Sequence, residues 1–97
     1  MSGEADIQRS IMQAAEAADA LVFRMNAGRG RYNQRLTPAG TPDLIIVPHH
    51  RPLLWVEVKG KTGELRFAQI AMHQELEERG QFVLTARGAE DVMEVLR

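Results

Sequence analysis

Two apolar segments in the middle of the chain constrain its fold more than any other feature. Leu44–Val47 contains only branched aliphatic residues and is closed by Pro48, a pattern that predicts a strand buried on both faces. Residues 53–59 follow after a short connection and predict a second strand, which carries the charged residues Glu57 and Lys59 near its end. Buried strands of this kind belong to sheets that helices cover.

The rest of the chain alternates between helical and extended patterns. The predicted elements are helices at residues 5–20, 66–79 and 89–96 and strands at residues 21–25, 44–47, 53–59 and 81–85. The second helix has one stripe made of Phe67, Ile70, Ala71 and Gln74. Gly80 is the expected C-terminal cap of that helix. The order αβββαβα predicts an α/β fold, a small mixed β-sheet flanked by helices.

Length and composition predict one globular domain over residues 1–97, of which 44% are apolar and 26% charged. A domain this small buries a limited share of its surface, so a partner subunit would help it. The absence of cysteine excludes disulfides, thiolate zinc sites and a cysteine nucleophile. No apolar stretch approaches the ~18 residues that span a bilayer, and the N-terminus lacks a signal-peptide pattern. We therefore expect a cytoplasmic protein with no membrane contact.

The net charge of −1 hides a sorting of charge along the chain. Residues 24–66 carry eight basic and three acidic residues, whereas the segments before and after them are both acidic. Residues 24–42 contain four arginines and no acid. A locally basic centre suits a polyanion such as nucleic acid. The alternative is a solvated loop that has collected arginines.

The strand at residues 53–59 places two charged side chains on one face. Because side chains alternate along a strand, Trp55, Glu57 and Lys59 share a face, and the last two lie about 7 Å apart. Charged groups among buried aliphatic residues cost free energy unless something compensates them. The simpler explanation of such a Glu-x-Lys pattern is an ion pair near the end of a strand.

Asp43 favours a functional site over a simple ion pair as the explanation of Glu57 and Lys59. It directly precedes the strand Leu44–Val47 and follows Pro42, and thirteen residues separate it from Glu57. By itself it could cap backbone N–H groups in a turn. Together with Glu57 and Lys59 it describes two adjacent strands that present two carboxylates and a lysine at one end. Such oxygen ligands suit a hard cation such as Mg²⁺, and zinc is disfavoured.

These residues, with others along the chain, resemble the VRR-NUC branch of the PD-(D/E)xK nuclease superfamily, which includes stand-alone phage and bacterial proteins. The segments that carry the resemblance are Glu4-x-x-Ile7-Gln8, Val22-Phe23-Arg24-Met25-Asn26-x-Gly28, Gly40-Thr41-Pro42-Asp43-Leu44, Glu57-Val58-Lys59 and Gly63-Glu64-Leu65-x-x-x-Gln69. Each segment is weak alone, but their order and spacing are specific. The resemblance covers nearly the whole chain and implies a restriction-endonuclease-like core.

The resemblance also implies roles for particular residues. Asp43 and Glu57 would ligate Mg²⁺, for which Mn²⁺ would substitute, together with the main-chain carbonyl of Val58. Glu4 corresponds to the glutamate of the first helix, a further candidate ligand. Lys59 would orient or activate the attacking water and neutralise charge on the phosphate. Gln69 is expected beside the site. Arg66 departs from the pattern, which has a small hydroxyl residue at that position.

The implied activity is a metal-dependent, structure-selective DNA endonuclease that nicks duplexes or cleaves four-way (Holliday) junctions, acting as a homodimer. The residues expected to contact the sugar-phosphate backbone are Arg24, Arg29, Arg31, Arg35, Lys61 and Arg66. The alternative is a non-catalytic nucleic-acid-binding module that uses the basic segment 24–35.

The remaining polar candidates have weaker patterns. His49 and His50 are expected to be solvated loop residues, and His73 a surface residue of the second helix. Tyr32 is expected to pack against the protein in preference to stacking on a base.

Overall fold

The computed structural model of the chain describes residues 3–25 and 37–97. The elements in these ranges are α1 (Glu4–Ala17), β1 (Leu21–Arg24), β2 (Leu44–Val47), β3 (Leu54–Val58), α2 (Phe67–Glu78), β4 (Phe82–Ala86) and α3 (Ala89–Leu96). Their order is the predicted αβββαβα. In the described ranges no helix is both long and apolar enough to cross a membrane.

The described strands form one mixed sheet in the order β1-β2-β3-β4. β1, β2 and β3 pair antiparallel, with Leu44 of β2 opposite Val56 of β3. β4 pairs parallel to β3, with Val56 opposite Leu84. A parallel pair needs a crossover, and α2 provides it between these two strands. The predicted small mixed sheet flanked by helices is confirmed.

The core lies between one face of the sheet and the helices α1 and α3. The alternate residues Leu44 and Ile46 of β2 and Val56 of β3 are fully buried there. Ile11 of α1 and Val92 of α3 are equally inaccessible and belong to the same cluster. Burial of these aliphatic side chains stabilises the fold by about 1.5–3 kcal/mol each.

The C-terminal ends of α1 and α2 are each set by the local backbone. α1 ends before residue 20 because Asp19 adopts a left-handed backbone (φ 63°) and the Ala20 N–H donates to the Ala15 carbonyl. Gly80 also has a left-handed backbone (φ 83°), and the next N–H, that of Gln81, donates to the Leu76 carbonyl. The predicted C-terminal cap at Gly80 is therefore confirmed.

α2 packs against β4 on the other face of the sheet. The side of the helix that faces the sheet is not its apolar stripe. Phe67 and Ile70 of that stripe are exposed, and so are Ala71 and Gln74. Among the described residues of α2, His73 is the buried one. The helix turns a polar side inward because its side chains bond to a buried carboxylate of β3, as the site shows.

Candidate active site

The start of β2 and the end of β3 meet at one end of the sheet. Because these strands are antiparallel and Leu44 pairs with Val56, the residue before Leu44 lies beside the end of β3. There Asp43 accepts a hydrogen bond through Oδ2 from the backbone N–H of Val58, at 2.8 Å. Asp43 and Glu57, which are distant in sequence, are neighbours in the fold.

A polar cavity of about 310 Å³ opens at this end of the sheet. Its lining residues are Glu4, Ala5, Gln8, Asp43, Glu57, Val58, Lys59, Arg66 and Gln69. Residues from the first turns of α1 and α2 thus face the ends of β2 and β3. The structure brings into one cavity every side chain that was predicted to be catalytic and every predicted metal ligand.

Glu57 is the most deeply enclosed of these acids, with 2% of its surface exposed. Gln69 Nε2 donates a hydrogen bond to Glu57 Oε2 at 3.4 Å, and His73 Nε2 lies 3.1 Å from Glu57 Oε1. Both contacts come from α2, whose residues four apart share a face. α2 therefore holds both oxygens of the Glu57 carboxyl.

The expectation that His73 lies on the surface is wrong, because only 7% of the residue is exposed. Its neighbours in sequence, Gln74 and Glu75, are polar and exposed, and a run of polar residues is typical of the solvated face of a helix. The sequence feature that indicates burial of His73 is its spacing of four residues from Gln69. That spacing puts both side chains on the side of α2 that faces Glu57.

The pKa of Glu57 is raised from 4.5 to about 8, mainly by burial and in smaller part by the neighbouring carboxyl of Asp43. The charge of Lys59 opposes this rise. Burial also lowers the pKa of His73, a shift that the Lys59 charge reinforces and the Glu77 charge opposes. Burial thus disfavours the charged form of both groups in the Glu57–His73 contact.

The donor set of the cavity fits a hard divalent cation. The carboxyl groups of Asp43 and Glu57 lie close together, and burial and the Asp43 carboxyl both disfavour the ionised form of Glu57. A cation beside the two groups would favour that ionised form. Asp43, Glu57 and the Val58 carbonyl offer oxygen ligands, which Mg²⁺ and Mn²⁺ prefer. In the described ranges no cluster of three or more His, Cys, Asp or Glu residues is arranged to hold a metal.

Lys59 directly follows β3 and is itself buried. Its N–H donates to the Ala86 carbonyl at 3.0 Å, which ties the end of β3 to the end of β4. Its aliphatic stem packs near Gly63, since a Cβ on that glycine would lie 3.6 Å from Lys59 Cδ. The turn at residues 60–63 thus forms a wall for the lysine.

Arg87 braces that turn from outside, a contact that the sequence pattern did not reveal. Its guanidinium donates to the Gly60 carbonyl at 2.6 Å and to the Gly63 carbonyl at 2.7 Å. Its backbone N–H donates to Asp91 Oδ2 at 2.8 Å, so the arginine is anchored on α3. Arg87 therefore ties to α3 the turn against which the Lys59 stem packs.

A close backbone approach fixes α2 over the loop that leads to Asp43. Gly40 has a left-handed backbone (φ 84°), and a Cβ there would lie 2.0 Å from the Ala68 carbonyl oxygen. In the same turn of α2 the Arg66 N–H donates to Gln69 Oε1 at 2.8 Å. Because Oε1 accepts this bond, the Nε2 group of Gln69 is directed to Glu57.

The predicted nucleic-acid contacts are only partly within the described ranges. Arg24, Lys61 and Arg66 are exposed. Arg24 is the last residue of β1, and the next residue, Met25, donates its N–H to the Asp43 carbonyl at 2.8 Å. Arg29, Tyr32, Arg31 and Arg35 lie outside the described residues, as does most of segment 24–35.

His49 and His50 are exposed, as expected of loop residues, in the connection between β2 and β3. This connection lies at the end of β2 opposite the cavity. His49 Nε2 is 2.8 Å from Oδ2 of Asp19, also exposed. The two histidines therefore stay outside the candidate site.

The site lies on a small mixed α/β fold. Glu57 and Lys59 stand at the end of β3, Asp43 precedes the antiparallel strand β2, and the crossover helix α2 contacts the glutamate. A solved structure described as a VRR_NUC domain superposes with a TM-score of 0.73 at 20% sequence identity. The similarity covers 97% of this chain and 95% of that one. No protein-family model and no curated protein matches the chain. The chain has the fold of a VRR-NUC domain, as its sequence predicts.

Proposed function

We propose that the chain is a metal-dependent DNA endonuclease that selects branched structures, nicking duplexes or cleaving four-way junctions. The observation that carries the proposal is the convergence of Asp43, Glu57 and Lys59 on one cavity. The VRR-NUC fold supports it, since the similar solved domain is described by that nuclease name.

Asp43, Glu57 and the Val58 carbonyl would hold the cation, with Glu4 within the same cavity as a further oxygen donor. We propose Mg²⁺ as the ion, with Mn²⁺ as a substitute. When bound, the ion supplies positive charge that polarises the phosphate and makes a nearby water more acidic.

The chain's own residues supply the rest of the chemistry. Lys59 places a compact cation in the cavity, where it attracts the phosphate and stabilises the negative charge that develops on it. Gln69 and His73 hold the Glu57 carboxyl in one orientation through the contacts at 3.4 and 3.1 Å. Ordered ligands reduce the reorganisation that the reaction requires.

The basic residues around the cavity would bind the DNA backbone. Arg24, Lys61 and Arg66 are exposed near the same end of the sheet, and Arg29, Arg31 and Arg35 belong to the same basic segment of the sequence. Such contacts position a duplex without reading its sequence. A homodimer would bring two sites to one junction. The proposed location is the cytoplasm, that of a bacterial host if the gene is a phage one.

The test is cleavage of supercoiled plasmid and of a synthetic four-way junction in Mg²⁺, Mn²⁺, Ca²⁺ or EDTA. Cutting in Mg²⁺ and Mn²⁺ only, lost in Asp43→Asn and Glu57→Gln, is the expected result. Asp19→Asn removes an exposed acid at the other end of the sheet and should cut normally. Lys59→Ala should lose turnover and retain binding. Tight binding without cutting in either ion would instead establish the non-catalytic binding module.

A further inference from the structure

The first residue of α2 exposes a large aromatic side chain. Phe67 is 92% exposed, more than any other large apolar side chain among the described residues. An aromatic ring in water gains nothing for the folded chain, because its apolar surface remains hydrated. Ile70, one helical turn later, is also exposed and extends the apolar surface.

The position of Phe67 connects it to the candidate active site. The residue before it, Arg66, lines the cavity, and Gln69, two residues after it, donates to Glu57. Ala68 is held by the close contact with Gly40. The backbone that carries Phe67 is therefore fixed at the rim of the cavity that holds Asp43 and Lys59.

The surroundings of the ring match the two chemical parts of a nucleotide. Arg66, directly before Phe67 in the chain, is an exposed cation that suits a phosphate, and the ring offers a flat apolar surface that suits a base. Bases inside a duplex are already stacked on both faces. An aromatic residue therefore stacks more readily on a base that is unpaired, at an end, or at a branch, because insertion into a duplex first has to unstack two base pairs.

We propose that Phe67 stacks on an unpaired base next to the cleaved phosphate and thereby selects DNA with unpaired or branched positions. This inference rests on the proposed nuclease function, whose substrate it specifies. Phe67 is a substrate-selecting residue, and Arg66 beside it holds the backbone of the same nucleotide.

Charge favours a nucleotide over a second copy of the chain at this place. A two-fold contact centred on Phe67 would bring Arg66 of one copy close to Arg66 of the other, since such contacts join identical patches. Like charges that face each other weaken a contact, whereas a polyanion is attracted by them.

The test is binding in Ca²⁺ of an oligonucleotide duplex that carries one unpaired 2-aminopurine, compared with the fully paired duplex. Phe67→Ala should weaken binding of the first by about tenfold, as loss of one base–aromatic stack does, and leave the second unchanged. It should also lose the fluorescence change that stacking produces. Phe67→Trp should restore both. Phe82→Ala, at an exposed phenylalanine that begins β4 away from the cavity, is the matched control and should bind normally.

Unchanged affinity of Phe67→Ala for the unpaired substrate would overturn the inference, as would an equal loss on both substrates. A lower solution mass of Phe67→Ala would also overturn it, because the ring would then contact a second copy. These outcomes are independent of cleavage. If Asp43→Asn cuts normally, the proposed function fails whatever Phe67 does; if cutting depends on Asp43 and Phe67→Ala binds normally, only the present inference fails.

Discussion

Glu57 of β3 and His73 of α2 share a buried contact, with Nε2 of the histidine 3.1 Å from Oε1 of the glutamate. The contact joins the central strand of the site to the crossover helix. Neither side chain is exposed by as much as a tenth. The carboxyl of Glu57 is thus oriented before any ligand enters the cavity.

His73→Ala is therefore expected to weaken Mn²⁺ binding by about tenfold to a hundredfold, the usual effect of removing a hydrogen-bond partner from a metal ligand. Isothermal titration calorimetry on the folded protein measures this directly. His50→Asn changes an exposed histidine with a left-handed backbone, which Asn tolerates, and should bind Mn²⁺ normally. Equal affinity of the His73 variant and the wild type would show that the contact does not support the site.

The raised pKa of Glu57 predicts how the stability of the metal-free protein depends on pH. Between pH 4.5 and about 8 the folded state keeps the proton of Glu57 and the unfolded state has lost it. The unfolding free energy therefore falls as pH rises through this window, by at most about 1.4 kcal/mol per pH unit. Urea denaturation at fixed pH values measures it, and Glu57→Gln should remove the fall between pH 6.5 and 8.

His73 acts in the opposite sense in the lower part of that window. Its pKa is lowered by burial, so below pH 6.5 the unfolded state binds a proton that the folded state refuses. This makes stability rise with pH up to about 6.5 and partly cancels the effect of Glu57 there. The fall should consequently be clearest between pH 6.5 and 8. A rise of stability across that upper range would contradict the assignment of a raised pKa to Glu57.

Arg87 should matter for turnover more than for substrate binding. Arg87→Ala removes the bonds to the Gly60 and Gly63 carbonyls and frees the turn against which Lys59 packs. Displacement of a catalytic group costs between about tenfold and a hundredfold in rate. The expected result is a lower kcat with KM nearly unchanged, partly restored by Arg87→Lys. The control is Arg79→Ala, which breaks an exposed pair with Glu75; an equal effect of both variants would reject a specific role for Arg87.

Gly40 and Gly80 form a matched pair for testing the close approach of α2. Both have a left-handed backbone, but a Cβ would meet the Ala68 carbonyl at 2.0 Å in the first case and open space in the second. Gly80→Ala should cost about 1 kcal/mol of unfolding free energy from backbone strain alone. Gly40→Ala should cost clearly more. Equal losses in thermal or urea unfolding would show that the loop and α2 separate easily.

The order of elements and the site strands could be predicted because their signals are local. Alternation along residues 53–59 determines that Glu57 and Lys59 share a face, and the proline and aspartate before β2 mark where that strand begins. Antiparallel pairing then brings Asp43 next to them. These relations need no knowledge of distant packing.

The orientation of α2 could not be predicted, because it depends on what the helix meets. A stripe that includes Phe67 and Ile70 looks like a core face, yet it is exposed, and His73 on another side bonds to the buried Glu57. Burial of a polar side chain follows from the availability of a partner. The brace formed by Arg87 escaped detection for the same reason, since its partners are backbone carbonyls.

The most direct test of the central claim is a crystal soaked in Mn²⁺ and measured for anomalous scattering. The account predicts a peak between the carboxyl groups of Asp43 and Glu57, and loss of that peak in Glu57→Gln crystals under the same soak. A map from the wild-type crystal without a peak between these two carboxyl groups, or an unchanged peak in the variant, would contradict it.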